Sequence, residues 1–208
     1  MIKRLAILTA LAISSAAVAH ADSINGFFAA GGTDAFTAPS PTGTLTFEPG
    51  ATVQGPAGGT FGLYLTAGNP ITFASGPIPY LQGNNVPPAI PIFSTTEGGE
   101  TFTFTISSFS ALFENGGVPG CLTGDTCLLI TGIGTFTGTG TVDYTASPGV
   151  FQFTSSYVPG QTVGQITTFA AQASASGTTP TVPEPASLAL FGTGLVGLVG
   201  VVRRRLHA

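Results

Sequence analysis

A two-residue alternation between phenylalanine and threonine restricts this chain more than any other feature. In "ETFTFTI", residues 100–106, Phe102, Phe104 and Ile106 take one side while Thr101, Thr103 and Thr105 take the other. Successive side chains on a strand point to opposite faces, so such a stretch has one apolar and one polar face and belongs on a half-buried sheet. "TGTLTF" repeats the pattern with Leu45 and Phe47, "TFGLYLT" with Phe61, Leu63 and Leu65, and "GVFQFTSSY" with Phe151 and Phe153. Between them stand "PGATVQGPAGG", "AGNP", "SGPIP", "QGNNVPPAIP" and "SPGV". Gly, Pro and Asn in such clusters reverse the chain. No stretch between Asp22 and Val182 carries a helical period of useful length. Short strands at close spacing predict an all-β body, a single β-sandwich or a jelly-roll-like ectodomain.

Thirty Gly and sixteen Pro in 208 residues would by themselves suggest low complexity. Sixteen Phe, with many Val, Leu, Ile and Thr, supply the apolar and β-forming material that disordered chains lack. The charges are few and oddly placed. Lys3, Arg4, Arg203, Arg204 and Arg205 are all the basic residues, and His20 and His207 both histidines. Asp22–Val182 therefore holds Asp22, Asp34, Glu48, Glu97, Glu100, Glu114, Asp125 and Asp143 without a single side-chain cation.

That distribution removes whole classes of chemistry. Without His there is no Ser-His-Asp or Cys-His machinery, and the usual imidazole base is missing. Two Cys cannot build a four-thiolate zinc site. Without Lys or Arg nothing neutralises phosphates, so nucleic acid is excluded as a partner. Stability has to come from apolar burial and sheet hydrogen bonds, since no salt bridge can form within the body.

The ends have a different character. "MIKRLAILTALAISSAAVAHADS" opens with Lys3 and Arg4, continues with an apolar stretch from Leu5, and reaches Ala19-His20-Ala21. A basic start, a short apolar run and a small-x-small site define a secretory signal peptide, cut after Ala21 by signal peptidase. An N-terminal anchor fits less well, because Ser14-Ser15 breaks the apolar stretch. At the other end Ala186–Val202 carries no charge. As a helix it would span about 25 Å, somewhat less than the roughly 30 Å hydrocarbon core. Arg203, Arg204 and Arg205 would stay on the cytoplasmic side and leave the body facing out. Gly192, Gly194, Gly197 and Gly200 are not spaced as GxxxG, so no dimerisation face is expected. Pro183-Glu184-Pro185 precedes the run, and its two prolines hold the chain extended.

Pro-Glu-Pro, an apolar helix and a basic cluster in this order resemble the PEP-CTERM sorting signal, over about Val182–Arg205. The resemblance implies an exosortase substrate of exopolysaccharide-producing Gram-negative bacteria. Exosortase, a membrane transpeptidase, would cut near Pro183–Pro185, discard the tail and pass the body to the surface or extracellular matrix. As with a GPI signal, the mature protein would keep no membrane span. The stretch "GTFTGTGTVDYTASPGVFQFTSS" is also similar to a strand–turn–strand pattern of PEP-CTERM ectodomains, which would make Ser147-Pro148-Gly149 a hairpin turn. The expected layout is signal peptide 1–21, β-rich ectodomain 22–173, a Ser/Thr/Gly/Pro linker 174–182 and sorting signal 183–208.

Within the body, Cys121 and Cys127 enclose "LTGDT" and should form a disulfide in an oxidising compartment. Glu97 and Glu100 in "TEGGET" are the closest carboxylates, and glycosidases use two carboxylates about 5 to 10 Å apart. Acidic residues beside a Gly-Gly turn, however, ordinarily serve solubility. No cofactor is expected. Asp125, Asp143, Glu114 and Asn115 are the candidates for a structural Ca²⁺, although no EF-hand pattern or calcium repeat is present. Tyr64, Tyr80, Tyr144 and Tyr157 would stack on sugars if exposed, and belong to the core if not. Three readings follow in order: an exported non-catalytic surface or matrix protein, a carbohydrate-binding module retaining exopolysaccharide, and an acid-only glycosidase.

Overall fold

Strand follows strand throughout the body, as the alternation requires. The computed structural model describes residues 21–37, 40–117, 121–157 and 164–177. The signal-peptide stretch up to His20, the apolar run Ala186–Val202 and the sorting segment lie outside the described residues. The first strands are β1 Asp22–Ser23, β2 Asn25–Phe36, β3 Thr42–Phe47, β4 Thr52–Val53 and β5 Gly58–Gly59. Next come β6 Thr72–Phe73, β7 Ile78–Leu81, β8 Gly83–Asn85, β9 Ile90–Glu97 and β10 Glu100–Asn115. The last are β11 Thr126–Gly140, β12 Tyr144–Thr145, β13 Ser147–Tyr157 and β14 Thr167–Ser176.

The body is all-β, and its main strands form one curled sheet of twelve strands. The hydrogen-bonded path runs β6-β9-β10-β11-β13-β14-β2-β3-β7, with β4 and β5 on β2 and β8 on β10. A parallel ribbon of β1 and β12 stands beside it. The two faces of the expected sandwich thus belong to a continuous ladder. The curl comes back on itself at one corner. β7 pairs with β3, the chain turns at Gln82, and β8 pairs with Phe109–Ala111 of β10.

Phenylalanines from opposite walls fill the interior. Phe73 on β6 stacks on Phe47 of β3 at 4.2 Å and meets Phe169 of β14 at 5.4 Å. Phe93 on β9 reaches Phe28 of β2 at 5.7 Å and Phe151 of β13 at 5.5 Å. Such ring pairs contribute roughly 0.5–1.5 kcal/mol each beyond the area they bury. The Gly-x-Gly recurrence in β11 serves this packing. Gly132 and Gly138 are buried on the inner face, where a Cβ on Gly132 would lie 2.3 Å from Ile106 Cδ1.

Two strand assignments differ from expectation. Phe61–Leu63 is a 3-10 turn, with the Leu65 N–H donating to the Phe61 carbonyl at 2.7 Å. Phe61 and Leu65 are buried while Leu63 is 75% exposed, so the apparent alternation hides a helical spacing. Ser147-Pro148-Gly149 is the start of β13, paired with Gly134–Phe136 of β11, and no turn. Its Gly149 packs flat under the Phe136 ring, where a Cβ would lie 2.4 Å from the ring edge. The aromatic strand does follow the Gly-rich one as an antiparallel neighbour. β14 runs on to Ser176, into the stretch read as linker.

Candidate functional site

Cys121 and Cys127 form a disulfide with 5.9 Å between their Cα atoms, and both are buried. The bridge closes the loop between β10 and β11, where the Gly116 N–H donates to the Asp125 carbonyl at 2.9 Å. Of the calcium candidates, Asn115 accepts from the Thr126 hydroxyl at 3.3 Å. Among the described residues no three acidic, His or Cys side chains gather to hold a metal ion.

Glu97 and Glu100 face each other across the β9–β10 hairpin. Gly98 and Gly99 both take positive φ, +59° and +83°, as the tight two-residue hairpin loop demands. The two carboxylates then part company. Glu97 accepts from the Asn69 amide at 3.0 Å. Glu100 is fully buried, and its Oε1 accepts from the Thr141 hydroxyl at 2.5 Å and the Val142 N–H at 2.6 Å. The Thr141 hydrogen bond, with help from the Val142 N–H, holds the Glu100 carboxyl below its ordinary pKa. A glycosidase acid needs the opposite, a carboxyl still protonated near neutral pH.

The tyrosines do not make a sugar platform. Tyr80 is buried, and Tyr64, Tyr144 and Tyr157 are half-buried against the core. Tyr64 and Tyr144 share a hydrogen bond between hydroxyls at 3.1 Å. Burial, with Tyr64 next to it, raises the Tyr144 hydroxyl out of its usual range.

Sequence reasoning missed Asp34. It occupies the inward place in the series Phe28, Ala30, Gly32, Asp34, Phe36 on β2, and it is fully buried. The Ser155 hydroxyl of β13 donates to Oδ1 at 2.8 Å, while Oδ2 has no partner among the described residues. Burial pushes its pKa up to about 7, against a smaller downward pull from Ser155. The signal was an acid at an inward position of an alternating strand.

A broad concavity lies on the outer face of β11, β13, β14 and β2, an open trough of about 840 Å³, and a second of about 650 Å³ adjoins it, sharing Ala29, Gln54, Gln152 and Gln172. Register places Thr131, Gln152, Gln172 and Ala29 in one row across these strands. Three strand steps make the row about 14 Å wide. The next row holds Leu129, Thr154, Ala170 and Gly31, and the row on the other side Ile133, Val150, Ser174 and Phe27. Phe27, 57% exposed, and Val150 line the adjoining concavity and give it an apolar margin, while Thr131, Gln152, Thr154 and Gln172 set hydroxyls and amides among Ala29, Gly31, Leu129 and Ala170 on the trough floor. Gln54 forms a wall. Its N–H donates to the Ala29 carbonyl at 2.8 Å, and its side chain lies so close over Gly31 that a Cβ there would be 2.9 Å from it. Gln54 Nε2 in turn donates to the Thr52 hydroxyl at 2.8 Å. No Asp or Glu lines the trough.

Residues 181–205 match the PEP-CTERM protein-sorting motif. That match takes in Pro183, Glu184 and Pro185, the apolar run and Arg203–Arg205. No curated protein and no solved structure shows significant similarity to the chain.

Proposed function

We propose that this chain is an exported, non-catalytic protein of the cell surface or extracellular matrix, delivered in two steps. Signal peptidase removes residues 1–21. The chain, held at the membrane by its apolar run, is then cut by an exosortase near Pro183–Pro185. The match of residues 181–205 to the PEP-CTERM motif carries this reading. It gains support from the confinement of every Lys, Arg and His to the two end segments, so that processing leaves a purely anionic sheet body. The body has no imidazole, amine or guanidinium, the Glu100 carboxyl is held below its ordinary pKa, and Asp34, the one carboxyl among the described residues raised toward neutral pH, is fully buried away from any substrate.

Intact-mass measurement tests the delivery. In a host carrying an exosortase, the protein should lack residues 1–21 and everything beyond the Pro183–Pro185 region. In the matching exosortase deletion it should retain the tail through Ala208 and fractionate with the membrane. An unchanged mass in both hosts refutes the assignment.

A further inference from the structure

We infer that the trough on the outer face of β11, β13, β14 and β2 is a binding site for an uncharged polysaccharide. This rests on the export reading only in that the body must meet such a polymer outside the cell. The floor offers side chains alone. β11, β13 and β14 are each paired on both edges, and β2 is paired to β14 along one edge and to β3, β4 and β5 along the other. An extended peptide seeking a free strand edge therefore finds none there. What remains is a row of groups that both donate and accept: Thr131, Gln152, Gln172 and, from the wall, Gln54. Among the described residues the Gln152 and Gln172 amides have no hydrogen-bond partner of their own, unlike Gln54. Three of the chain's glutamines thus converge on one concavity.

Charge selects the class of occupant. The trough has no ionised side chain, and the body around it is anionic without a compensating cation. Uronate-rich, sulfated or phosphorylated polymers meet repulsion and find no guanidinium or ammonium to pair with. A neutral sugar ring has hydroxyls around its edge and apolar C–H faces. Hydroxyls match the amides and threonines of the floor, and C–H faces match the exposed ring of Phe27 beside Val150 in the adjoining concavity, which shares Gln152 and Gln172 with the trough. Phe27 thereby takes the part the tyrosines do not.

Affinity electrophoresis of the disulfide-bonded exported protein tests the site. Native gels would contain hydroxyethyl cellulose, galactomannan, laminarin, arabinogalactan or, as the anionic comparison, alginate. Retardation is expected in at least one neutral gel and not in alginate. Gln152→Ala/Gln172→Ala should weaken that retardation about tenfold or more, as expected for the loss of two hydrogen-bonding amides. Phe27→Ala should weaken it severalfold. All three side chains are at the surface, and an unchanged urea midpoint confirms that the variants fold. Migration unaffected by every neutral polymer overturns the inference, as does retardation that the double variant leaves intact or that alginate matches. Self-association abolished by the double variant would mean that a second copy occupies the trough, and also overturns it. Intact mass is read on the same sample, so a chain that binds but is not processed, or is processed but does not bind, separates this inference from the sorting assignment.

Discussion

Raising the pH from 4 to 8 should weaken the folded state by about 4 kcal/mol through Asp34 alone. Its carboxyl titrates at 3.8 when unfolded and at about 7 in the body. Each pH unit between those values corresponds to about 1.4 kcal/mol. The folded state holds the proton where the unfolded state has lost it, so stability falls as pH rises across this interval. Below about pH 4 both states are protonated and the contribution is fully present; above about 8 it is gone. Asp34→Asn keeps the shape and an acceptor for Ser155 but cannot ionise. At pH 4 the variant should be less stable by about 1–2 kcal/mol, since its amide buries two unpartnered donors where protonated Asp34 buries one. At pH 8 the variant should be more stable by about 2–3 kcal/mol. Urea unfolding followed by circular dichroism at pH 4, 6 and 8 measures both. Wild-type stability that is level or rising across this range, or an Asp34→Asn variant with the same slope, would refute the reasoning.

Glu100 acts at the other end of the scale. Its lowered pKa contributes stability that is present above pH 4.5 and lost as pH falls through the folded value, so Glu100→Gln should flatten the acid limb of the same curves. An acid limb unchanged in that variant would show that the Thr141 and Val142 bonds do not favour the carboxylate. Reduction of Cys121–Cys127, or replacement of both by Ala, should lower stability by about 2 kcal/mol, because the closed loop is short. The urea midpoint in the presence and absence of reductant reports it.

How much of this was legible in advance depends on which physical constraint each residue answers to. Phe102, Phe104, Phe151 and Phe153 lie on strands because period two with one apolar face has few other solutions, and all four are buried as the pattern demanded. The disulfide followed from compartment and loop length. The same alternation misled at Phe61–Leu63, where two buried positions four residues apart satisfy a helical turn as well as a strand. Ser147-Pro148-Gly149 reads as a turn locally, yet Gly149 is required where Phe136 presses on the backbone, a contact that only the tertiary pairing creates. The trough was hidden for a similar reason. Gln152 and Gln172 are remote in sequence and become neighbours only through the β13–β14 register. Asp34, by contrast, could have been found by asking which acid falls on an inward position.

Ser176 pairs with Asn25, and the Gly177 N–H donates to the Ile24 carbonyl at 2.9 Å, so the body begins and ends at one pole. β14 leads to that pole between β13 and β2, bonded to both. If the molecule is tethered through its C-terminal end, flow or drag on the rest of the body pulls along the axis of β14. The ladder bonds on its two sides then share the load and must yield together, which is shear, where peeling would break them singly. A tether attached there loads two neighbouring ladders at once.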